Sequence, residues 1–148
     1  MCMASESPSS APFNKRFLLH DRREDIERAQ LALIDAVQQL RYDPASVFAI
    51  RLALEEALAN AFKHGNKGDP DKHVHMECRV ERDVVVIEIE DQGEGFDPQT
   101  VPDPTEQENV EIPSGRGLTL MRAFMNEVHI QPPGNRVRMK YIRPQPVA

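Results

Sequence analysis

The sequence predicts an α+β fold: a two-layer sandwich in which a mixed, mainly antiparallel sheet is covered on one face by helices. Three observations carry that prediction. Val74, Met76, Cys78 and Val80 alternate with His73, His75, Glu77 and Arg79, the period-two pattern of a strand with one wet face. Ile26, Ala29, Leu33, Ala36, Val37 and Leu40 recur at helical spacing instead. The strands follow one another mainly through hairpin turns, and the helices interrupt them without regular alternation, which disfavours a doubly wound parallel sheet.

Taken in order, residues 1–14 are rich in Ser, Pro and Ala and read as a disordered leader. The domain is expected over 15–143, with a tail at 144–148. Lys15-Arg16-Phe17-Leu18-Leu19 reads as a short strand, and Glu24 to Leu40 as the amphipathic helix. Asp43-Pro44 supplies an N-cap and a proline for the first helical position. The helix that follows runs to about His64, where Gly65-Asn66-Lys67-Gly68 stops it. The strand from His73 turns at Glu81-Arg82-Asp83 into a second, Val84 to Glu90, making a hairpin. Asp97 to Ser114 has no periodicity, holds four prolines and several acids, and has the length of a lid or a disordered segment. Gly117 to Phe124 is predicted helical. Glu127 to Gln131 and Val137 to Ile142 are strands joined by Pro132-Pro133-Gly134-Asn135. No internal repeat is visible.

A chain of 148 residues fits one domain with a real core, and 40% hydrophobic with 28% charged residues is ordinary for a globular protein. The formal charge of −6 argues against direct nucleic-acid binding, because phosphate neutralisation needs clustered cations. The only basic grouping is a mild one at Arg136, Arg138, Lys140 and Arg143. No apolar run approaches the ~20 residues of a membrane helix, and no signal core opens the chain. Cys2 and Cys78 do not form a disulfide framework. A reducing cytoplasm is the expected setting.

Three segments carry chemistry. In the second helix, Val47, Ile50, Leu54, Leu58 and Ala61 form one apolar stripe for the sheet. Glu56 lies about 200° from Leu54 and points elsewhere, with Asn60 and His64 at i+4 and i+8 and small Ala49 and Ala53 before it. Asn60 can give its carbonyl oxygen to Mg²⁺, and Glu56 can accept a proton from an attacking hydroxyl or water. Asp91-Gln92-Gly93-Glu94-Gly95-Phe96 ends a strand with a carboxylate able to accept from an exocyclic amine such as that of adenine. Its glycines allow close approach of a ring. Ser114-Gly115-Arg116-Gly117-Leu118 opens a helix, whose free N–H groups bind anions. Each segment alone also has an ordinary structural reading: a solvated helix face, an Asp-Gly turn, a glycine hinge. Together they describe an ATP site without a P-loop, since GxxxxGK[ST] is absent. His73, His75 and Glu77 share a strand face but lack a third clear zinc ligand, so they read as solvated. Met121 and Met125 read as core packing.

In order and spacing these motifs resemble the Bergerat-fold ATPases of the gyrase and histidine-kinase type, and most closely the bacterial anti-sigma factor serine kinases. The resemblance runs from about Phe17 to Ile142. Leu54 to Gly65 looks like the N box, Asp91 to Phe96 like the first glycine box, and Gly115 to Met121 like the second. It implies that Glu56 is the general base and Asn60 the Mg²⁺ ligand. Asp91 would contact adenine, and His64, Gly93, Gly95, Phe96, Gly115, Arg116, Gly117 and Leu118 would complete the ATP pocket. The implied reaction moves the γ-phosphoryl of ATP to a serine of an anti-anti-sigma protein, and the implied second partner is a sigma factor held inactive. The family also tends to dimerise, and no segment marks an interface. Two positions depart from the pattern: Asn126 replaces a frequent Asp, and Gly134-Asn135 a frequent Gly-Thr near adenine. The competing reading is a non-catalytic module that sequesters a partner, with ATP as a structural ligand or with no nucleotide. A detached catalytic half of a histidine kinase is disfavoured, because 14–40 is too short to supply a phosphoacceptor segment.

Overall fold

A computed structural model of the protein describes residues 13–93, 113–132 and 134–145. Five strands and three helices occur among them: β1 Phe13–His20, α1 Arg23–Gln39, α2 Pro44–Asn60, β2 His73–Val80, β3 Val84–Glu90, α3 Pro113–Phe124, β4 Glu127–Gln131 and β5 Arg136–Ile142. A π-helical turn, Ala61–Gly65, extends α2. β1 begins two residues before the expected start, and α3 four residues earlier. Of the lid expected over 97–114, Pro113 and Ser114 belong to α3, and of the leader expected over 1–14, Phe13 and Asn14 belong to β1; the rest of both lies outside the described residues.

The strand order is β1-β2-β3-β5-β4, and every neighbouring pair is antiparallel. The mixed character expected from the sequence is therefore absent from the described sheet. The reason is topological: β4 runs parallel to β3, but the β4–β5 hairpin folds back and inserts β5 between them.

One sheet face is apolar and carries the helices. Leu19, Val74, Met76, Cys78, Ile87, Ile89, Val137 and Met139 are buried there against Leu33, Val37, Ile50, Leu54 and Leu58. The predicted stripe of α2 is buried throughout, from Val47 to Ala61. Asp43 caps α2 by accepting from the Ser46 amide at 2.8 Å, with Pro44 at the first helical position. Ser46, 1% exposed, satisfies its hydroxyl on that of Tyr141 at 2.7 Å. Asn126 accepts from the Ile142 amide at 2.6 Å, an amide doing local work at the family's frequent Asp position.

The other face is polar and uncovered by any described element. Three of the four basic residues grouped in the sequence are paired on it: Arg136 with Glu90 at 3.3 Å, Arg138 with Glu88 at 3.6 Å and Lys140 with Glu127 at 3.9 Å, while Arg143 donates to the carbonyls of Arg82 and Arg41. Among the described residues no helix is long and apolar enough to cross a membrane, and no set of three or more His, Cys, Asp or Glu is placed to hold a metal. His73 and His75 meet edge to face on this open side. Cys78 is a free, buried thiol whose pKa burial pushes up to about 12, so it is inert at neutral pH.

Candidate active site

The site forms where the end of α2 meets the ends of β3 and the β4–β5 hairpin. Glu56 and Asn60 lie one turn apart on α2, about 40° apart around its axis. Both are partly exposed, while the neighbouring Ala53, Ala57 and Ala61 are buried. The Asn60 Oδ1 atom is buried and has no hydrogen-bond partner among the described residues. An unsatisfied buried acceptor costs about 1–3 kcal/mol and calls for an explanation. An amide oxygen there can accept from a water or ligand donor or coordinate a cation such as Mg²⁺, which takes oxygen donors and keeps several waters.

Asp91 follows β3. Its Oδ1 accepts from the Gly93 amide at 2.7 Å, and its own amide donates to the Asn135 carbonyl at 2.9 Å. The Asn135 side chain returns a bond to the Asp91 carbonyl at 3.0 Å, tying the turn to the β4–β5 hairpin. Burial raises the Asp91 pKa above its ordinary value, opposed by the Gly93 amide; Glu90 raises it further and Lys72 lowers it. The glycines are demanded by contact. A Cβ at Gly65 would overlap the Asp91 carboxylate, and one at Gly93 would overlap the Gly65 carbonyl. Gly65, Asp91 and Gly93 thus interlock.

Asn60 and Asp91 face a common cavity of about 20 Å³, walled by Ala57, Ala61, Ile89, Ile130 and Val137 and rimmed by Gly134, Asn135 and Arg136. In its present shape it holds about one water. Apolar walls with a carboxylate and amides at one end are chemistry suited to a planar nitrogen heterocycle. Glu56, His64 and Gly93 do not line this cavity. His64 sits in the π-turn, where the wider winding shifts it from the α-helical position assumed for i+8. Its Nε2 is buried without a partner among the described residues, and its pKa is lowered by burial and secondarily by Lys63.

Gly95 and Phe96 lie outside the described residues. Gly115, Arg116 and Gly117 fall within α3, which begins at Pro113 and not at Gly117 as expected, and Leu118 is a core residue at 4% exposure. Sequence reasoning missed Asn66, which holds the site from beneath. It is 1% exposed, accepts from the Gln92 amide at 2.7 Å and donates to the His73 carbonyl at 3.0 Å. In the sequence it stood inside a Gly-Asn-Lys-Gly stop signal, and no local pattern separates a buried Asn from a turn Asn.

A family model for the histidine kinase-like ATPase domain matches residues 19–141. The chain belongs to that family. Within it, the chain is 31% identical over 120 residues to the anti-sigma F factor of Bacillus cytotoxicus, covering 79% of this chain and 80% of the relative. The anti-sigma F factor of Geobacillus sp. is 30% identical over 118 residues, covering 78% and 80%. That of Halalkalibacterium halodurans is 29% identical over 119 residues, covering 79% and 80%.

Proposed function

We propose that this protein is an ATP-dependent anti-sigma factor that phosphorylates a serine of an anti-anti-sigma protein, and so regulates transcription by partner switching. The observation that carries the ATP site is that Asn60, whose buried Oδ1 has no hydrogen-bond partner among the described residues, and Asp91 line one apolar-walled cavity. The partners rest on the resemblance to anti-sigma F factors.

In this reading Asp91 accepts a hydrogen bond from the adenine amine, and Ile89, Ile130 and Val137 contact the ring. Asn60 donates its Oδ1 to Mg²⁺, which when bound neutralises phosphate charge. The start of α3, with Gly115, Arg116 and Gly117, presents amides and charge to the phosphates. Glu56 takes the proton from the attacking serine hydroxyl. Phosphoryl transfer depends chiefly on positioning and charge neutralisation, so few groups suffice. The setting proposed is cytoplasmic, with a homodimer as a further assembly state and no direct contact with nucleic acid or membrane.

The test combines calorimetry with label transfer. Wild type is expected to bind ATP in a Mg²⁺-dependent manner, and Asn60→Ala to weaken that binding about tenfold or more, as loss of a metal contact does. Glu56→Gln should retain ATP binding and lose transfer of labelled phosphate to the partner by at least about 10²-fold. Normal transfer in Glu56→Gln would sink the proposed base. One observation favours the non-catalytic alternative: the cavity is only about 20 Å³ in this structure. Stable partner complexes with no label transfer would establish that reading instead.

A further inference from the structure

We propose that Asn66 is a positioning residue for purine selection. It fixes the Asp91 turn against the end of α2, so that the carboxylate meets the ring amine in one direction only. This rests on the ATP reading above and deepens it. Asn66 does not itself line the cavity.

The geometry runs through the π-turn. The extra residue per turn lets the Asn66 amide reach back to the Ala61 carbonyl at 2.8 Å, five residues away, and ends the helix under the Asp91 turn. From there the Asn66 side chain uses both functions at once. Its Oδ1 accepts from the Gln92 amide, and its Nδ2 donates to the His73 carbonyl at the start of β2. Gln92 closes the loop, its Oε1 accepting from the His73 amide at 2.7 Å. One buried amide therefore links the end of α2, the start of β2 and the turn after β3.

The neighbouring contact explains why this link acts on Asp91. The carboxylate is wedged between Gly65, which has no room for a Cβ, and the Gly93 amide it accepts from. Gln92 lies between Asp91 and Gly93, so its amide sets the path of both. Without the Asn66 acceptor, the Gln92 amide loses its partner, and the turn is held only by the Gln92 side chain on the His73 amide and by Asn135 on the far side. The carboxylate then accepts less directionally. Adenine, which offers an amine at C6, loses most. Guanine, which presents a carbonyl there and is repelled by a well-held carboxylate, loses little.

The test is calorimetric titration of the full chain with MgATP and MgGTP, for wild type, Asn66→Ala and Asn66→Asp. Wild type is expected to prefer ATP. Asn66→Ala should lose about tenfold in ATP affinity, the scale of one buried hydrogen bond, with GTP affinity nearly unchanged, so the preference collapses. Asn66→Asp keeps an oxygen for the Gln92 amide and should keep more of the preference, although it loses the bond to His73. Equal weakening of both nucleotides in Asn66→Ala, or an unchanged preference, overturns the role. Hydrogen exchange of the Gln92 amide in the wild-type protein needs no variant to fold. Strong protection supports the clamp, and exchange at the free-peptide rate overturns it. A wild-type protein that binds neither nucleotide while protecting Gln92 overturns the ATP reading and this role with it, yet leaves the clamp geometry standing.

Discussion

At the residue scale, Asp91 is held at a cost to the fold. Burial raises its pKa above 3.8, so the folded chain binds that proton more tightly than the unfolded one. The contribution of Asp91 to stability is therefore greatest below its unfolded pKa and declines as pH rises through the folded value, leaving an unfavourable carboxylate at neutral pH. Asp91→Asn keeps an oxygen for the Gly93 amide and removes the buried charge. We expect thermal melts at pH 7 to show a Tm raised by about 3 °C, equivalent to about 1 kcal/mol in a domain of this size, and the gain to vanish near pH 3. The same variant should bind ATP at least about tenfold more weakly, because an amide no longer offers the ring amine a full charge. Asp91 and Gly93 were legible from their motif. Asn135 was legible only as a neighbour of the adenine site, and Asn66 was not legible at all, since their contacts to this turn span 44 and 26 residues.

At the element scale, α2 is the part whose local signals and tertiary role agree best. Asp43 and Pro44 set its start, and an apolar stripe of period 3.6 sets its buried face. Asp43→Ala removes the acceptor for the Ser46 amide, and a Tm lowered by about 3 °C in a thermal melt is the expected result. The Asp43 pKa is lowered by its bonds to Ser46, so this cap contributes above the unfolded carboxylate pKa and is lost as pH falls through the folded one. The penalty of the substitution should shrink accordingly in acid. The other end of α2 is where the helical pattern misleads. Ala61–Gly65 carries the residues of an ordinary helix, yet it winds as a π-turn that ends with Gly65 against the Asp91 carboxylate.

At the scale of the whole molecule, a single antiparallel sheet divides a helix-covered core from an open charged face. Ile87, 0% exposed on the central strand β3, sits where both layers meet. Ile87→Ala should destabilise the protein by about 2–5 kcal/mol in urea titration, with one cooperative transition followed by both helix and strand signals. The ion pairs of the open face are solvent-exposed and contribute little each. They do pair Arg136, Arg138 and Lys140 of β5 with carboxylates, which weakens that strand as a phosphate-binding surface.

The sequence by itself determined the element list and the buried face of each element, because period, caps and turn residues are local properties of the chain. It also determined the family, whose three motifs stand in order. Tertiary structure alone decided the insertion of β5 between β3 and β4, the π-turn, and the buried amide that carries the Asp91 turn. Each of those depends on contacts between segments far apart in the chain, and such contacts leave no periodic trace in either partner.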